Sequence, residues 1–242
     1  MTFCLGIKVN NGLVALADTQ ITKGNERLKK GKLSYVEHGG LPIFVMTSGL
    51  RSLRDKTILY FEDHLAQEVS QYDRLYKVAN CFGEQLRKVR LEDEASLGGS
   101  GLHFNLNTII GGRLKGDEEP TLFYIYPEGN WVEASIDAPY FIIGRTPYGK
   151  PILDRLLHAD ASLEKAVALA YLAFDATCTS VTDVDFPIDV LVFNAHNHGL
   201  QQHRFEAADL AQVAQWWKQR LSTAVNDFPM EWCRPLFTDK SG

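Results

Sequence analysis

Alternation of apolar and polar residues begins at the start of the chain. Every second residue from Phe3 to Val9 is a large apolar one, which is the period of a half-buried β-strand. The Asn-Asn-Gly sequence at 10–12 favours a tight turn. Leu13 to Ala17 are all apolar, as in a buried strand, and the run ends at Asp18. The pattern predicts a hairpin that returns Asp18 to about 10 Å or less from Thr2.

Groups of strands and pairs of helices follow this hairpin. The apolar periodicity predicts helices at about 50–69, 73–91, 162–177 and 208–224, and a short one from about 147. It predicts strands at 33–36, 43–47, 104–113, 122–126, 131–135, 140–143, 186–194 and 200–205, with loops at 24–31 and 97–101. Because the helices come in pairs, we predict an α+β fold, a four-layer αββα sandwich of two antiparallel sheets flanked by helix pairs. We expect one domain over 1–242, in which about 207–242 form a C-terminal helix and tail.

Composition excludes several classes of protein. The chain has 242 residues, 45% hydrophobic and 23% charged, with a net charge of −5, which is an ordinary globular profile. No run of Lys and Arg suggests nucleic-acid binding, and no apolar run is long enough to span a membrane. The four cysteines are far apart and form no Cys-x-x-Cys pair, as expected for reduced thiols in a cytoplasmic protein. Lys8 and the polar turn after it argue against a secretory signal ending at Ala17.

The second residue carries the candidate chemistry. If Met1 is removed, Thr2 combines a nucleophilic hydroxyl with a free α-amine, whose pKa is about 8 in model peptides. A threonine hydroxyl beside its own amine is a known activated nucleophile. Asp18 and Lys32 would lie close enough to orient the hydroxyl and to tune the pKa of the amine by charge. Many unrelated chains also begin with Met-Thr, so the rest of the sequence has to support this interpretation.

A resemblance to known proteins is carried by Met1–Gly6, Leu13–Thr19, Thr47–Leu50, and Ile142–Gly144 through Tyr148–Asp154. The chain resembles the N-terminal nucleophile hydrolases, and among them the proteasome β-subunits, over nearly its whole length. In the last of these stretches, and in being longer than a simple β-subunit, it resembles the bacterial homologues called Anbu.

The resemblance implies a role for each matching residue. Thr2 matches the nucleophile, Asp18 the acid and Lys32 the base-tuning lysine. Gly49 matches the glycine whose N–H forms the oxyanion hole, and Asp175 matches a later aspartate. Lys29 and Lys30 are alternatives to Lys32, and the family positions that line the substrate pocket are Ile21, Thr22, Thr47 and Arg51.

Two supporting serines of the family are replaced in this sequence. Arg145, with Thr146 beside it, stands where one serine is expected, and Cys178 stands where the other is expected. Ser180 lies two residues further on, and we prefer it to Cys178 as the group that hydrogen-bonds the amine.

The resemblance implies a threonine-type peptidase or amidohydrolase that forms an acyl-enzyme on Thr2 and needs no cofactor or metal. It also implies self-assembly into a ring or open helical ring, a peptide substrate, and a functional link to transglutaminase-like and ATP-grasp proteins. The loss of the two serines motivates an alternative, in which the chain forms a structural or sequestering shell with little hydrolysis.

Two other features suggest different functions. Residues Gly144–Lys150 have the spacing of a phosphate-binding loop, so nucleotide binding is a second alternative. The following Pro151 has neither the hydroxyl that would bind Mg²⁺ nor an N–H, so a strand-to-helix turn is the preferred interpretation. His196, His198 and His203 are interpreted as solvated histidines near a turn rather than as metal ligands.

Overall fold

The computed structural model describes residues 2–23, 26–29, 31–67 and 71–237. The strands, in chain order, are β1 (Phe3–Val9), β2 (Gly12–Asp18), β3 (Gln20–Lys23), β4 (Glu26–Lys29), β5 (Leu33–His38), β6 (Leu41–Gly49), β7 (Leu106–Gly112), β8 (Thr121–Ile125), β9 (Trp131–Glu133), β10 (Tyr140–Gly144), β11 (Ile188–Asn194) and β12 (Gly199–Phe205). The α-helices are α1 (Arg51–Gln67), α2 (Leu75–Gly99), α3 (Lys150–Leu156), α4 (Leu163–Ser180) and α5 (Ala211–Asn226).

Ten of these strands form two antiparallel sheets of five. The first sheet has the order β10-β1-β2-β11-β12, and the second has the order β5-β6-β7-β8-β9. Strands β3 and β4 pair with each other as a separate hairpin. The N-terminal hairpin therefore lies in the middle of the first sheet, with β10 on one side and β11 on the other.

Successive side chains along each strand face opposite sides of its sheet, and this alternation produces four layers. Cys4 and Ala15 of the first sheet pack against Phe44 and Met46 of the second, which closes the core between the sheets. The residues that alternate with them on β6 and β7, such as Val45, face the other way and pack against α1 and α2. On the outer side of the first sheet, α4 packs against β1 and β2. The predicted α+β sandwich is confirmed.

Helix α2 is longer than predicted. It continues to Gly99 rather than ending near Leu91, so the prediction of a loop at 97–101 is wrong over its first three residues. Leu86 and Val89 are buried in a cluster against which Leu97 also packs. Tertiary packing therefore extends the helix despite the low helix propensity of glycine, which tertiary context often overrides. The predicted loop at 24–31 also contains β4, which pairs with β3.

The described residues from 206 onward form a compact unit, separate from the one formed by the described residues before them. The unit contains α5 and a 3₁₀ helix at Glu231–Leu236. Trp216 is 53% exposed within it, and Trp217 is partly buried. That the whole chain acts as one domain stays a prediction. In the described part of the chain, no helix is both long and apolar enough to cross a membrane.

Candidate functional site

Asp18 holds the first residue of β1 in place. The hairpin register pairs Cys4 with Ala17, so the end of β2 lies beside the beginning of β1. The Phe3 backbone N–H donates a hydrogen bond to Asp18 Oδ1 at 2.7 Å. Asp18 is fully buried, and its carboxylate therefore fixes the backbone immediately after Thr2.

Lys32 reaches the other oxygen of the same carboxylate. Its Nζ donates to Asp18 Oδ2 at 2.6 Å, and the two side chains are only 5% and 0% exposed. Burial is the largest influence on Asp18 and raises the pKa of its carboxyl, whereas the Lys32 charge and the two hydrogen bonds oppose that rise. Lys32 is fixed through its backbone as well, because its carbonyl oxygen accepts a hydrogen bond from Thr47 N at 3.3 Å. The structure thus brings Asp18 and Lys32 together beside residue 2.

Thr2 is held through its backbone from the opposite edge. Its carbonyl oxygen accepts a hydrogen bond from Arg145 N at 2.8 Å. Gly144 has φ +92°, and a Cβ there would overlap the Thr2 carbonyl oxygen. Only glycine permits this close approach of β10 to the start of β1. Thr2 itself is 8% exposed.

Gly49 ends β6 in a conformation that favours glycine. Its φ is +149°, and a Cβ would overlap the carbonyl oxygen of Asn105 on the neighbouring segment. Thr47, two residues earlier, is 3% exposed, and its hydroxyl has no hydrogen-bond partner among the described residues. Arg51 begins α1, is exposed, and donates from Nε to Asp55 at 3.2 Å. The structure places Ile21 and Thr22 in β3.

The predicted supporting residues lie on α4. Ser180 is its last residue; its side chain is exposed, and its hydroxyl donates to the Ala176 carbonyl oxygen at 2.7 Å. Asp175 is partly buried, and burial raises the pKa of its carboxyl. The described hydrogen bonds do not connect Ser180 to Thr2, so its role stays a prediction.

Cys178 is linked instead to a carboxylate on the loop after α4. Its Sγ donates to Asp185 Oδ1 at 3.7 Å. Burial raises the pKa of the Cys178 thiol to about 11, with further contributions from the negative charges of Asp185, Asp175 and Asp18. The contribution of Asp18 indicates that this end of α4 faces the candidate site. Cys178 is therefore a neutral thiol at pH 7.

An ion pair beside Thr2 was not anticipated from the sequence. Arg145 donates from Nε and Nη2 to the two oxygens of Asp183, at 3.2 and 2.7 Å. This hydrogen bonding lowers the pKa of the Asp183 carboxyl. The two residues are 38 positions apart in the sequence, so no local pattern could have indicated the pair.

The glycine-containing turn at Gly144–Lys150 presents no available lysine to a phosphate. Lys150 Nζ donates to Tyr140 at 3.0 Å and to Asp154 at 2.9 Å. Helix α3, which follows the turn, has only seven residues. In the described residues, no group of three or more His, Cys, Asp or Glu side chains could hold a metal ion.

With this geometry established, comparison with known proteins identifies the family. The model of the proteasome subunit family matches residues 2–193, which is most of the chain. The chain belongs to the proteasome subunit family.

Solved structures narrow this assignment to the Anbu type of proteasome β-subunit homologue. An Anbu (Gly-1) mutant from Hyphomicrobium sp. strain MC1 is 31% identical over 94% of this chain and 99% of its own, with a TM-score of 0.85. Anbu (ancestral beta-subunit) from Yersinia bercovieri is 28% identical over 94% of this chain and 97% of its own, with a TM-score of 0.84. A chain of the helical assembly of the Anbu complex from Pseudomonas aeruginosa is 26% identical over 94% of this chain and 97% of its own, also with a TM-score of 0.84. Among curated protein sequences, none is significantly similar to this Anbu-type chain.

Proposed function

We propose that this Anbu-type subunit is an N-terminal threonine hydrolase that cleaves peptide or amide bonds after removal of Met1. The observation that carries the proposal is the buried 2.6 Å contact between Lys32 and Asp18, beside the residue that Asp18 holds through Phe3 N. A buried ion pair is costly to form unless its geometry is good. Its location next to a residue that can provide both nucleophile and base favours a catalytic role.

The proposed reaction uses Thr2 for both nucleophile and base. The Thr2 hydroxyl oxygen attacks the substrate carbonyl while the Thr2 amine takes the hydroxyl proton, directly or through a water. The backbone N–H of Gly49 stabilises the oxyanion of the tetrahedral intermediate. The C–N bond then breaks, the leaving amine takes the proton from the Thr2 ammonium, and an ester to Thr2 remains. Water hydrolyses that ester and regenerates the free hydroxyl.

Lys32 and Asp18 tune this chemistry in the proposal. The Lys32 ammonium disfavours a second positive charge nearby, so it lowers the pKa of the Thr2 amine. Asp18 holds Lys32 in place, and its negative charge limits the net positive charge of the pair. Asp175 and Ser180 support the amine from α4. Ile21, Thr22, Thr47 and Arg51 would line the pocket that receives the substrate side chain.

We infer further that the subunit works as a homo-oligomer in the cytoplasm on a peptide substrate. Similarity to a helical assembly of the Anbu complex from Pseudomonas aeruginosa supports self-association. Among the described residues, none of Cys4, Cys81, Cys178 and Cys233 forms a disulfide, which fits a reducing compartment. A functional link to transglutaminase-like and ATP-grasp proteins stays a prediction.

Intact-mass measurement with and without a β-lactone probe tests the proposed function. We expect loss of Met1 and the addition of one probe on Thr2. Thr2→Ala should abolish labelling without changing the melting temperature, and Thr2→Ser, which keeps a hydroxyl, should be labelled. Retention of Met1 would exclude the mechanism, because the amine of Thr2 would then be part of a peptide bond. Met1 loss without labelling at any pH would refute hydrolysis and favour the shell.

The shell is the second candidate because both serine replacements have partners of another kind. The Arg145 side chain pairs with Asp183, and that of Cys178 with Asp185. Neither supplies a hydroxyl to the reaction. In a shell, Thr2→Ala would leave the state of assembly and every measurable function unchanged.

A further inference from the structure

Arg145 lies directly opposite Thr2 in the first sheet. The register of β1 and β10 pairs Phe3 with Gly144, and the hydrogen bond from Arg145 N to Thr2 O extends that pairing by one residue. Side chains that are directly opposite in an antiparallel pair project from the same face of the sheet. The Arg145 side chain therefore begins on the face from which the Thr2 side chain projects.

The carboxylate of Asp183 is fixed against this arginine. Both oxygens accept a hydrogen bond from the guanidinium, at 3.2 and 2.7 Å, and such bidentate geometry restricts orientation as well as distance. The two side chains are only 32% and 21% exposed. Because the Arg145 backbone is itself bonded to Thr2, the carboxylate is held in a defined place near the beginning of the chain.

Two carboxylates are linked to the backbone around Thr2, and their surroundings differ. Asp18 is bonded to Phe3 N, and Asp183 is bonded to the side chain of Arg145, whose backbone N–H donates to Thr2 O. Asp18 is fully buried and divides its oxygens between Phe3 N and Lys32. Asp183 is partly exposed and is held by the guanidinium of Arg145.

We propose that the Arg145–Asp183 pair positions the α-amine of Thr2, with the Asp183 carboxylate as its counter-charge. This inference rests on the proposed function, in which Met1 is removed and that amine is the base. The carboxylate would accept an N–H from the amine and direct the amine's lone pair toward the hydroxyl of Thr2. Arg145 keeps the negative charge of Asp183 from raising the amine pKa so far that the base is always protonated. An ion pair would thus take the place of the serine that Arg145 replaces.

The elements near residue 2 carry several charged or titratable groups. Asp18 lies at the end of β2, and Lys32 precedes β5. Arg145 follows β10, and Asp183 lies between α4 and β11, where Asp185 also lies. On α4, Asp175 is a carboxyl and Cys178 a neutral thiol. Single substitutions at Asp183 and Arg145 alter one charge of this set at a time, and their predicted effects on the amine have opposite signs.

The test is the pH dependence of acetylation of the terminal amine, read from the mass of the N-terminal peptide. This measurement gives the amine pKa whether or not the protein is active. Asp183→Asn removes a negative neighbour and should lower the amine pKa by about one unit. Arg145→Gln leaves Asp183 unscreened and should raise it by a similar amount. Below the midpoint, the acetylation rate should rise about tenfold in the first variant and fall about tenfold in the second.

Asp154→Asn is the matched control. It removes the same charge from the α3 segment that follows β10, where Asp154 pairs with Lys150, and should leave the amine pKa unchanged. An unchanged amine pKa in Asp183→Asn overturns the positioning role, even if β-lactone labelling shows the enzyme to be active. Opposite shifts in the two variants support the role even if labelling fails, in which case only the proposed hydrolysis is refuted. Retention of Met1 overturns both.

Discussion

The buried pair of Lys32 and Asp18 makes a sharp prediction for the variant Lys32→Met. Methionine approximates the length of the lysine stem and removes the charge. The Asp18 carboxylate would then keep its burial and its hydrogen bond from Phe3 N, but it would lose the ammonium that lies 2.6 Å away. Since both side chains are almost wholly buried, water cannot replace the lost partner without rearrangement of the core.

The expected loss in the free energy of unfolding follows from the cost of an uncompensated buried charge. Removing one partner of a buried ion pair typically costs about 3–5 kcal/mol, and we expect this loss at pH 8. Burial already raises the pKa of Asp18 and Lys32 opposes the rise, so the variant should raise it further. The folded state then binds a proton that the unfolded state has released. The loss of stability should therefore shrink as pH falls, by up to about 1.4 kcal/mol per pH unit.

Urea unfolding at pH 8 and pH 5, at one fixed protomer concentration, measures this effect. The double variant Asp18→Asn with Lys32→Met carries no charge at these two positions, so it should recover much of the stability and lose the pH dependence. Lys77→Met is the control, because Lys77 pairs with Asp73 on the surface and such pairs contribute little. Equal losses at both pH values in Lys32→Met would refute the reasoning.

Three further variants test separate parts of the structure. Gly144→Ala should displace Thr2 and abolish probe labelling, because its Cβ would overlap the Thr2 carbonyl oxygen. Iodoacetamide should modify Cys178 slowly at pH 8, where a pKa of about 11 leaves roughly one thiolate in a thousand, and Asp185→Asn should speed modification by lowering that pKa. Ser162→Ala should cost about 1 kcal/mol in urea unfolding, since Ser162 Oγ accepts the N-cap hydrogen bond of α4 at 3.1 Å.

The first two of these predictions each have a result that contradicts them. Normal labelling in Gly144→Ala would mean that the close approach of β10 does not position Thr2. Fast modification of Cys178 at pH 8 would mean that its surroundings do not suppress the thiolate. Gly39→Ala offers a comparison for Gly144, because Gly39 also has a positive φ, +59°, but a Cβ there would meet nothing within 4 Å.

Local patterns predicted the part of the site that lies on neighbouring strands. The period of two in β1, the Asn-Asn-Gly turn and the apolar run in β2 together fix which residues face each other. They therefore predict that Asp18 returns to the level of Thr2, as the register shows. The same patterns predict the sandwich, because the inner and outer faces of each sheet differ in what they pack against.

The missed features depend on contacts between distant segments. The extent of α2 is decided by burial of Leu86 and Val89 rather than by its terminal glycines. The partner of Arg145 is decided by the loop that connects α4 to β11, which no periodicity describes. Thus the sequence identified Arg145 as a departure from the family pattern, but only the fold shows that a carboxylate accompanies it.

The contacts around residue 2 separate its chemistry from its structural role. The backbone is held by Asp18 through Phe3 N and by Arg145 N through Thr2 O, and neither contact uses the Thr2 side chain. Removing the Thr2 hydroxyl should therefore cost activity without costing stability. Lys32 and Asp18 differ, because the same buried contact that would tune the amine also neutralises a charge in the core. Lost activity in a variant of Lys32 or Asp18 can therefore be assigned to catalysis only if the variant is shown to be folded. The double variant without these two charges is expected to meet that condition.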